Sequence, residues 1–390
     1  MPKYIWILVV ATTINVTGGS FLWPLNTIYM HNELGKSLAF AGAILMLNQA
    51  AVIMGNLIGG VLFDKFSPYK TILYATILVM TASVFLSFKH DILTYSIMLV
   101  LIGFGTGTTW PVMFAMAGSV WPEGGRRTFN AIYVAQNLGV ALGATMGGYV
   151  ASISFDYIFI ANASLFVVFF FFVLFLFKGM DKERDRQMHT SVIEQSKKIK
   201  DHGAFRSLLI LSSGFLVAWL VYSQWQTTIA SHTQTIGIPL EQYSFLWAIN
   251  GFLIVLGQPI LKLVKWQSQK TYIYVGTTIF IGSFIIAMAA DKFVMFAVAM
   301  VILTIGEMLV WPAIPTLANE LAPRGREGFY QGFINSVAAA GRMIGPILGG
   351  FIVDYFNIKL LFFIILFVLV IPFISTFLFD RGLRKEKQTT

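Results

Sequence analysis

The chain has 390 residues, 57% hydrophobic and 15% aromatic but only 12% charged, with a mean hydropathy of +0.75 and a net charge of +9. A soluble globular protein carries about a quarter charged residues, so that class is excluded, and 36 Phe, 16 Met and 34 Gly suit closely approaching helices in an apolar solvent. The absence of cysteine removes disulfides, thiolate catalysis, Fe–S clusters and cysteine zinc sites together.

A transmembrane helix needs about 20 mostly apolar residues to cross about 30 Å of hydrocarbon. Twelve stretches qualify: 4–29, 38–63, 70–88, 92–117, 129–152, 157–177, 206–230, 243–264, 271–289, 292–316, 329–353 and 358–379. They are too long and too unalternating for barrel strands, so the expected fold is all-α and polytopic. The first stretch follows Lys3 as a signal peptide would, but it is too long and lacks a small-residue cleavage site, so it reads as a retained span. One long polar interval, Gly179 to Gly203, divides the chain into six spans and six. The expected organisation is a six-helix bundle over 1–178, a cytoplasmic linker over 179–205, a second bundle over 206–380 and a tail over 381–390.

If the N-terminus is cytoplasmic, inner segments hold 22 of the 27 Lys and Arg residues and outer loops hold four. The positive-inside rule therefore places both termini inside. The net charge reads as a topology signal and a contact with anionic lipid headgroups, and nucleic acid is not needed to explain it.

The two halves resemble each other. Span four carries Trp110-Pro111 and then Pro122 and Arg126-Arg127, while span ten carries Trp311-Pro312 and then Pro323 and Arg324-Gly325-Arg326. Span five has Gly139, Gly143, Gly147 and Gly148, and span eleven has Gly341, Gly345, Pro346, Gly349 and Gly350. Small residues four apart let helix backbones approach closely. Either glycine run alone is explained by packing, but recurrence in register argues for two homologous halves around a central cavity, the architecture of a secondary transporter.

Between spans two and three, Gly60 is followed by Asp64 and Lys65, then Lys70. This loop and the glycine runs resemble motifs of the major facilitator superfamily, and nearly the whole chain is similar to its twelve-helix drug:proton antiporter branch. The resemblance implies the major facilitator fold with two pseudo-symmetric six-helix bundles, residence in a bacterial plasma membrane, and a conformational latch at Gly60, Asp64, Lys65 and Lys70. Physically, Asp64 at a helix end can face neighbouring helix termini and bases. The alternative is a charge cluster that only sets topology. The run at Gly139 resembles the antiporter motif, with Ala144 in place of its proline. In span four, Leu99 stands where the family often has an arginine four residues before Gly103-x-Gly105.

A charge inside a span is a functional hypothesis by default. Glu307 and Arg342 both lie roughly 17 to 20 Å from the cytoplasmic ends of spans ten and eleven, at 1.5 Å per residue. Equal depth on consecutive spans makes a Glu307–Arg342 pair the expectation, with Glu307 exchanging a proton and Arg342 adjusting its proton affinity. A permanent structural ion pair is the competing reading. Relatives in the resembled branch carry a membrane-embedded acid in span ten.

Polar and aromatic side chains recur at helical spacing: Asn15, Trp23 and Asn26 in span one, Asn130, Tyr133, Gln136 and Asn137 in span five, and Tyr222 and Gln226 in span seven. Span eight adds Tyr243, Trp247 and Asn250, span ten adds Trp311, and span eleven adds Gln331 and Asn335. Such stripes face protein or a cavity, since lipid would not solvate them. An aromatic and amide lining with one acid suits amphipathic organic substrates, including cations held by cation–π contacts. Helix–helix hydrogen bonding explains any one of these residues equally well.

Gly35-Lys36-Ser37 lacks the first glycine of a phosphate loop, since position 30 is Met30. The histidines His31, His90, His189, His202 and His232 show no metal-ligand spacing, so no metal site is expected, and no catalytic constellation marks an enzyme. The expected function is proton-coupled export of amphipathic drugs or metabolites by alternating access. It uses no cofactor beyond a proton gradient, and its partners are a small-molecule substrate, protons and membrane lipids, with the monomer as working unit. Proton-coupled uptake of a sugar or other nutrient, or movement of a lipid-linked metabolite, is the alternative on the same fold. A receptor without turnover would need neither the repeated glycines nor the buried charges.

Overall fold

The computed structural model describes residues 1–22, 25, 26, 29–180, 201–261 and 268–379. Among them the chain forms helices and no strand. The spans are α1 (Lys3–Leu22), α2 (Leu38–Lys65), α3 (Pro68–Phe88), α4 (Ile92–Val120), α5 (Arg126–Ile153), α6 (Phe155–Leu176), α7 (Asp201–Tyr222), α8 (Leu240–Leu261), α9 (Gln269–Met288), α10 (Phe293–Leu321), α11 (Glu327–Tyr355) and α12 (Ile358–Leu378). Ten of the described helices are long and apolar enough to cross a membrane. Arg126–Ile153 and Leu240–Leu261 complete the twelve, at 28 and 22 residues.

Local sequence sets the starts. Ser37, Ser67, Asp91, Ser154, Ser268 and Asn357 each accept a hydrogen bond from a backbone N–H in the first turn of the helix that follows. Such caps satisfy donors that have no intrahelical acceptor. Two spans are less regular than their hydropathy suggests. The predicted span 206–230 ends as an α-helix at Tyr222, continues as a 3₁₀ turn over Ser223–Gln226 and resumes over Thr228–Thr235. There the Ser223 and Thr227 hydroxyls and the Gln224 amide donate to carbonyls one turn back, and Thr228 Oγ1 donates to Gln224 Oε1 at 2.7 Å, so side chains compete with the helical ladder. α12 is built of Ile358–Val368 and Val370–Leu378, with Leu369 between.

The described chain forms two compact units. One comprises Met1–Lys197 with Arg324–Ser336, and the other comprises Lys198–Pro323 with Val337–Thr390. The division thus falls inside α11, whose opening turns pack with the first unit.

In the first unit α2 and α4 meet backbone to backbone: a Cβ added at Gly59 would stand 2.8 Å from Thr108 Cα, and one at Gly107 would stand 2.8 Å from Val52 Cα. α5 lies equally close to α1, where a Cβ at Gly139 would fall 2.9 Å from the Thr13 carbonyl oxygen and one at Gly147 would fall 2.9 Å from that of Phe21. Asn162 Nδ2 of α6 donates to the Gly18 carbonyl of α1 at 2.6 Å. Buried Phe21, Tyr95, Phe129, Phe159 and Phe166 fill the space between these helices.

The second unit repeats the arrangement. A Cβ at Gly341 would fall 3.1 Å from the Leu216 carbonyl oxygen of α7, and one at Gly345 would fall 2.9 Å from that of Leu220. Each glycine run therefore serves the contact between the fifth helix of its half and the first. Large apolar side chains such as Trp6, Phe88, Phe175 and Phe367 stay exposed, as surfaces meant for lipid require.

Candidate functional site

Glu307 lies in the middle of α10 and is 3% exposed. Two neutral groups from other helices donate to the same carboxylate oxygen, Oε2: Tyr222 Oη of α7 at 3.1 Å and Asn250 Nδ2 of α8 at 2.8 Å. Asn250 Nδ2 also donates to Thr304 Oγ1 at 2.8 Å, and Thr304, one turn before Glu307, donates to the Met300 carbonyl at 2.7 Å. All four side chains are buried. Hydrogen bonds to an ionised carboxylate favour that form, and a buried carboxyl without them would be costly.

The base is held differently. Arg342 of α11 is partly exposed, and its guanidinium lies 4.6 Å from the ring centre of Trp219 of α7. Trp219 in turn stacks on Trp311 of α10, with ring centres 4.6 Å apart and planes within 1°. Tyr222 meets both indoles edge-on, at 5.4 and 5.5 Å, and Phe215 and Phe280 meet Trp311 at 5.7 and 5.6 Å. Trp247 meets Tyr222 edge-on at 6.2 Å. The indole N–H groups of Trp219 and Trp311 are buried with no acceptor among the described residues.

The expected Glu307–Arg342 ion pair is therefore corrected. The acid accepts from neutral donors and the base faces an aromatic ring, with Trp219, Tyr222 and Trp311 linking the two. Chemically this separates their charges: a proton added to Glu307 takes no bond away from Arg342, as it would in an ion pair.

Of the expected binding residues, the second unit brings Tyr222, Trp247, Asn250 and Trp311 together around Glu307. Gln226 sits in the 3₁₀ turn beyond the end of α7. Asn15, Asn26, Asn130, Tyr133, Gln136, Asn137 and Asn335 belong to the first unit. Asn26 Oδ1 accepts from Tyr95 Oη of α4 at 2.5 Å, while Asn137 Nδ2 donates to the Tyr133 carbonyl at 2.9 Å and Asn335 Nδ2 to the Gln331 carbonyl at 2.8 Å, each one turn back in its own helix. Asn130 keeps a buried amide oxygen with no donor among the described residues. Trp23 lies outside the described residues. Thr304, Trp219, Phe215 and Phe280 were not anticipated; spacing carried a signal for two, since Thr304 lies three residues before Glu307 and Trp219 three before Tyr222.

In the first unit Asp64, at the end of α2, accepts from the backbone N–H of Gly328 at 2.7 Å and of Phe329 at 2.8 Å, one on each carboxylate oxygen. These amides open α11, where free N–H groups and the helix dipole favour an anion. Gly60 lies against Gly328, where an added Cβ would be 2.8 Å from the Gly328 carbonyl carbon, so close approach needs glycine on both sides. Lys65 and Lys70 are exposed. In the second unit Gln224 Nε2 donates to the Gly345 carbonyl at 2.8 Å, bracing the α7–α11 contact, and Pro346 sits inside α11 one turn beyond Arg342.

The family model described as Major Facilitator Superfamily matches residues 8–344 and 264–390. The chain is 53% identical over 392 residues to the uncharacterized MFS-type transporter YttB of Bacillus subtilis (strain 168), covering 100% of this chain and 98% of the relative. It is 23% identical to the multidrug resistance protein MdtH of Aeromonas salmonicida (90% and 88% covered) and to a Na(+), Li(+), K(+)/H(+) antiporter of Planococcus maritimus (84% and 84%). Among solved structures, that of the human organic anion transporter MFSD10 superposes with a TM-score of 0.77 at 12% identity, covering 96% of this chain and 100% of that one.

Proposed function

Because this chain belongs to the Major Facilitator Superfamily, we propose that it is a proton-coupled secondary transporter that exports amphipathic drugs or metabolites by alternating access, with Glu307 carrying the proton. The observation that supports this most is a carboxyl group buried halfway along α10 and held by two neutral donors, Tyr222 and Asn250. A buried acid held by neutral donors can gain and lose a proton while those donors stay neutral, which is what a coupling group must do. The multidrug and cation/proton antiporter names of distant relatives agree with export coupled to protons. In this reading the aromatic side chains around Tyr222 and Trp311 take the apolar body of the substrate. Asp64 on the opening turn of α11 latches one transport state, and the basic inner loops hold both termini on the cytoplasmic side of a bacterial plasma membrane.

The test uses inverted vesicles holding an inside-acid pH gradient, with proton efflux read by a pH-sensitive dye as a panel of anionic, neutral and cationic aromatic compounds is added. Wild-type protein releases protons with at least one compound, and Glu307→Gln, which keeps an acceptor for Tyr222 and Asn250, does not. Equal release by the variant removes Glu307 from the coupling step.

A further inference from the structure

The geometry points to Arg342 as an anion-recognition group, so that the transported molecule is an amphipathic aromatic anion whose carboxylate or sulfonate seats on this guanidinium. The inference rests on the transporter reading above and names the substrate class for the same site.

Arg342 lies halfway along the 29-residue helix α11, at the depth where a charge needs a partner or water. Its neighbours supply neither an acidic partner nor a hydrogen-bond acceptor: among the described residues its contact is the ring of Trp219. A ring face attracts the cation but accepts none of its N–H groups in the plane of the guanidinium. As a whole residue Arg342 keeps partial solvent exposure. The nearby acid does not compete for the guanidinium N–H groups, since Glu307 is addressed by Tyr222 and Asn250. A planar fork of donors held on a rigid indole matches the two oxygens of a carboxylate or sulfonate.

The surroundings fit the rest of such a molecule. The parallel Trp219–Trp311 stack and the edge of Tyr222 provide a rigid aromatic wall beside the cation. Both indole N–H groups are buried with no acceptor among the described residues, so the wall holds two donors whose hydrogen-bonding capacity is unmet. A cationic substrate would meet a like charge at Arg342.

The test is binding of three matched probes to the purified full-length protein in lipid nanodiscs without any gradient: 2-naphthoate, 2-naphthylmethanol and 2-naphthylmethylammonium, read by tryptophan fluorescence and equilibrium dialysis. Naphthoate is expected to bind at least ten-fold more tightly than the ammonium probe. Arg342→Gln is expected to weaken naphthoate ten-fold or more and leave the neutral probe within about two-fold, while Arg342→Lys recovers part of the loss and guards against a folding defect. Absence of naphthoate binding to the wild type, or equal binding by Arg342→Gln, overturns the inference. Because no gradient is present, failure here is distinct from failure of proton coupling, which Glu307→Gln tests in vesicles.

Discussion

Gln258 of α8 donates from Nε2 to the Met308 carbonyl of α10 at 3.1 Å. That carbonyl is four residues before Pro312, which has no N–H to give it, so a side chain from another helix supplies the hydrogen bond the proline removes. Met308 adjoins Glu307, and the repair therefore keeps α10 helical beside its buried acid. Gln258→Leu should cost about 1 kcal/mol, seen as a drop of a few degrees at most in apparent Tm. In a Pro312→Ala background the cost should shrink, because the substituted residue brings a backbone N–H that can bond the Met308 carbonyl itself; an unchanged cost in that background would show that Gln258 does not serve the proline.

The glycine run of α11 separates close contacts from open space. A Cβ at Gly345 meets the Leu220 backbone and the Ser223 hydroxyl, whereas one at Gly350 meets nothing within 4 Å among the described residues. Gly345→Ala should destabilise by about 1–3 kcal/mol through forced separation of α7 and α11. Gly350→Ala should be neutral or stabilise by up to about 1 kcal/mol, since alanine is the better helix former. Thermal unfolding of the two variants in the same detergent checks the contrast, and equal effects would refute it.

Asp64→Asn replaces two carboxylate acceptors with one neutral oxygen and an NH₂ group that cannot accept from the amides opening α11. The backbone amides of Gly328 and Phe329 should then exchange with solvent faster by about ten-fold or more, the loss expected for charge-assisted hydrogen bonds. Hydrogen exchange read over the opening of α11 measures this directly. Unchanged protection would mean that Asp64 does not hold that helix end.

Charge balance distinguishes substrate classes in transport. Exchange of one proton inward for one anion outward moves two elementary charges inward, about 2.3 kcal/mol per charge for each 100 mV. Exchange against a monovalent cation moves none. With the pH gradient clamped at zero, an imposed membrane potential should therefore drive naphthoate flux in proteoliposomes, and a flux indifferent to potential would contradict this charge count.

Much of the fold was legible because hydropathy and small-residue spacing act along a single helix. Twelve spans, the paired glycine runs and the depth of Glu307 all follow from counting residues. The partner of Glu307 was not legible for a geometric reason: rise per residue fixes how deep Arg342 lies, but not the direction in which its helix turns it. Arg342 meets Trp219, while the acid is reached by Tyr222 and Asn250, two residues the polar stripes had marked without saying what they touch. Hydropathy also carried the seventh span straight through Ser223–Gln226, because averaging over a window hides hydroxyls and amides that bond their own backbone.

The matched glycines carry a consequence for how this chain can vary. Gly139, Gly143 and Gly147 on α5 face α1 as Gly341, Gly345 and Gly349 on α11 face α7 and the turn that follows it. In a saturation-mutagenesis screen these six positions should appear as two short, evenly spaced tracks that reject nearly every side chain, one in each half. Neighbouring helical positions turned to lipid should accept most apolar substitutions. Aligning the two tracks would recover the register of the internal duplication from growth phenotypes alone.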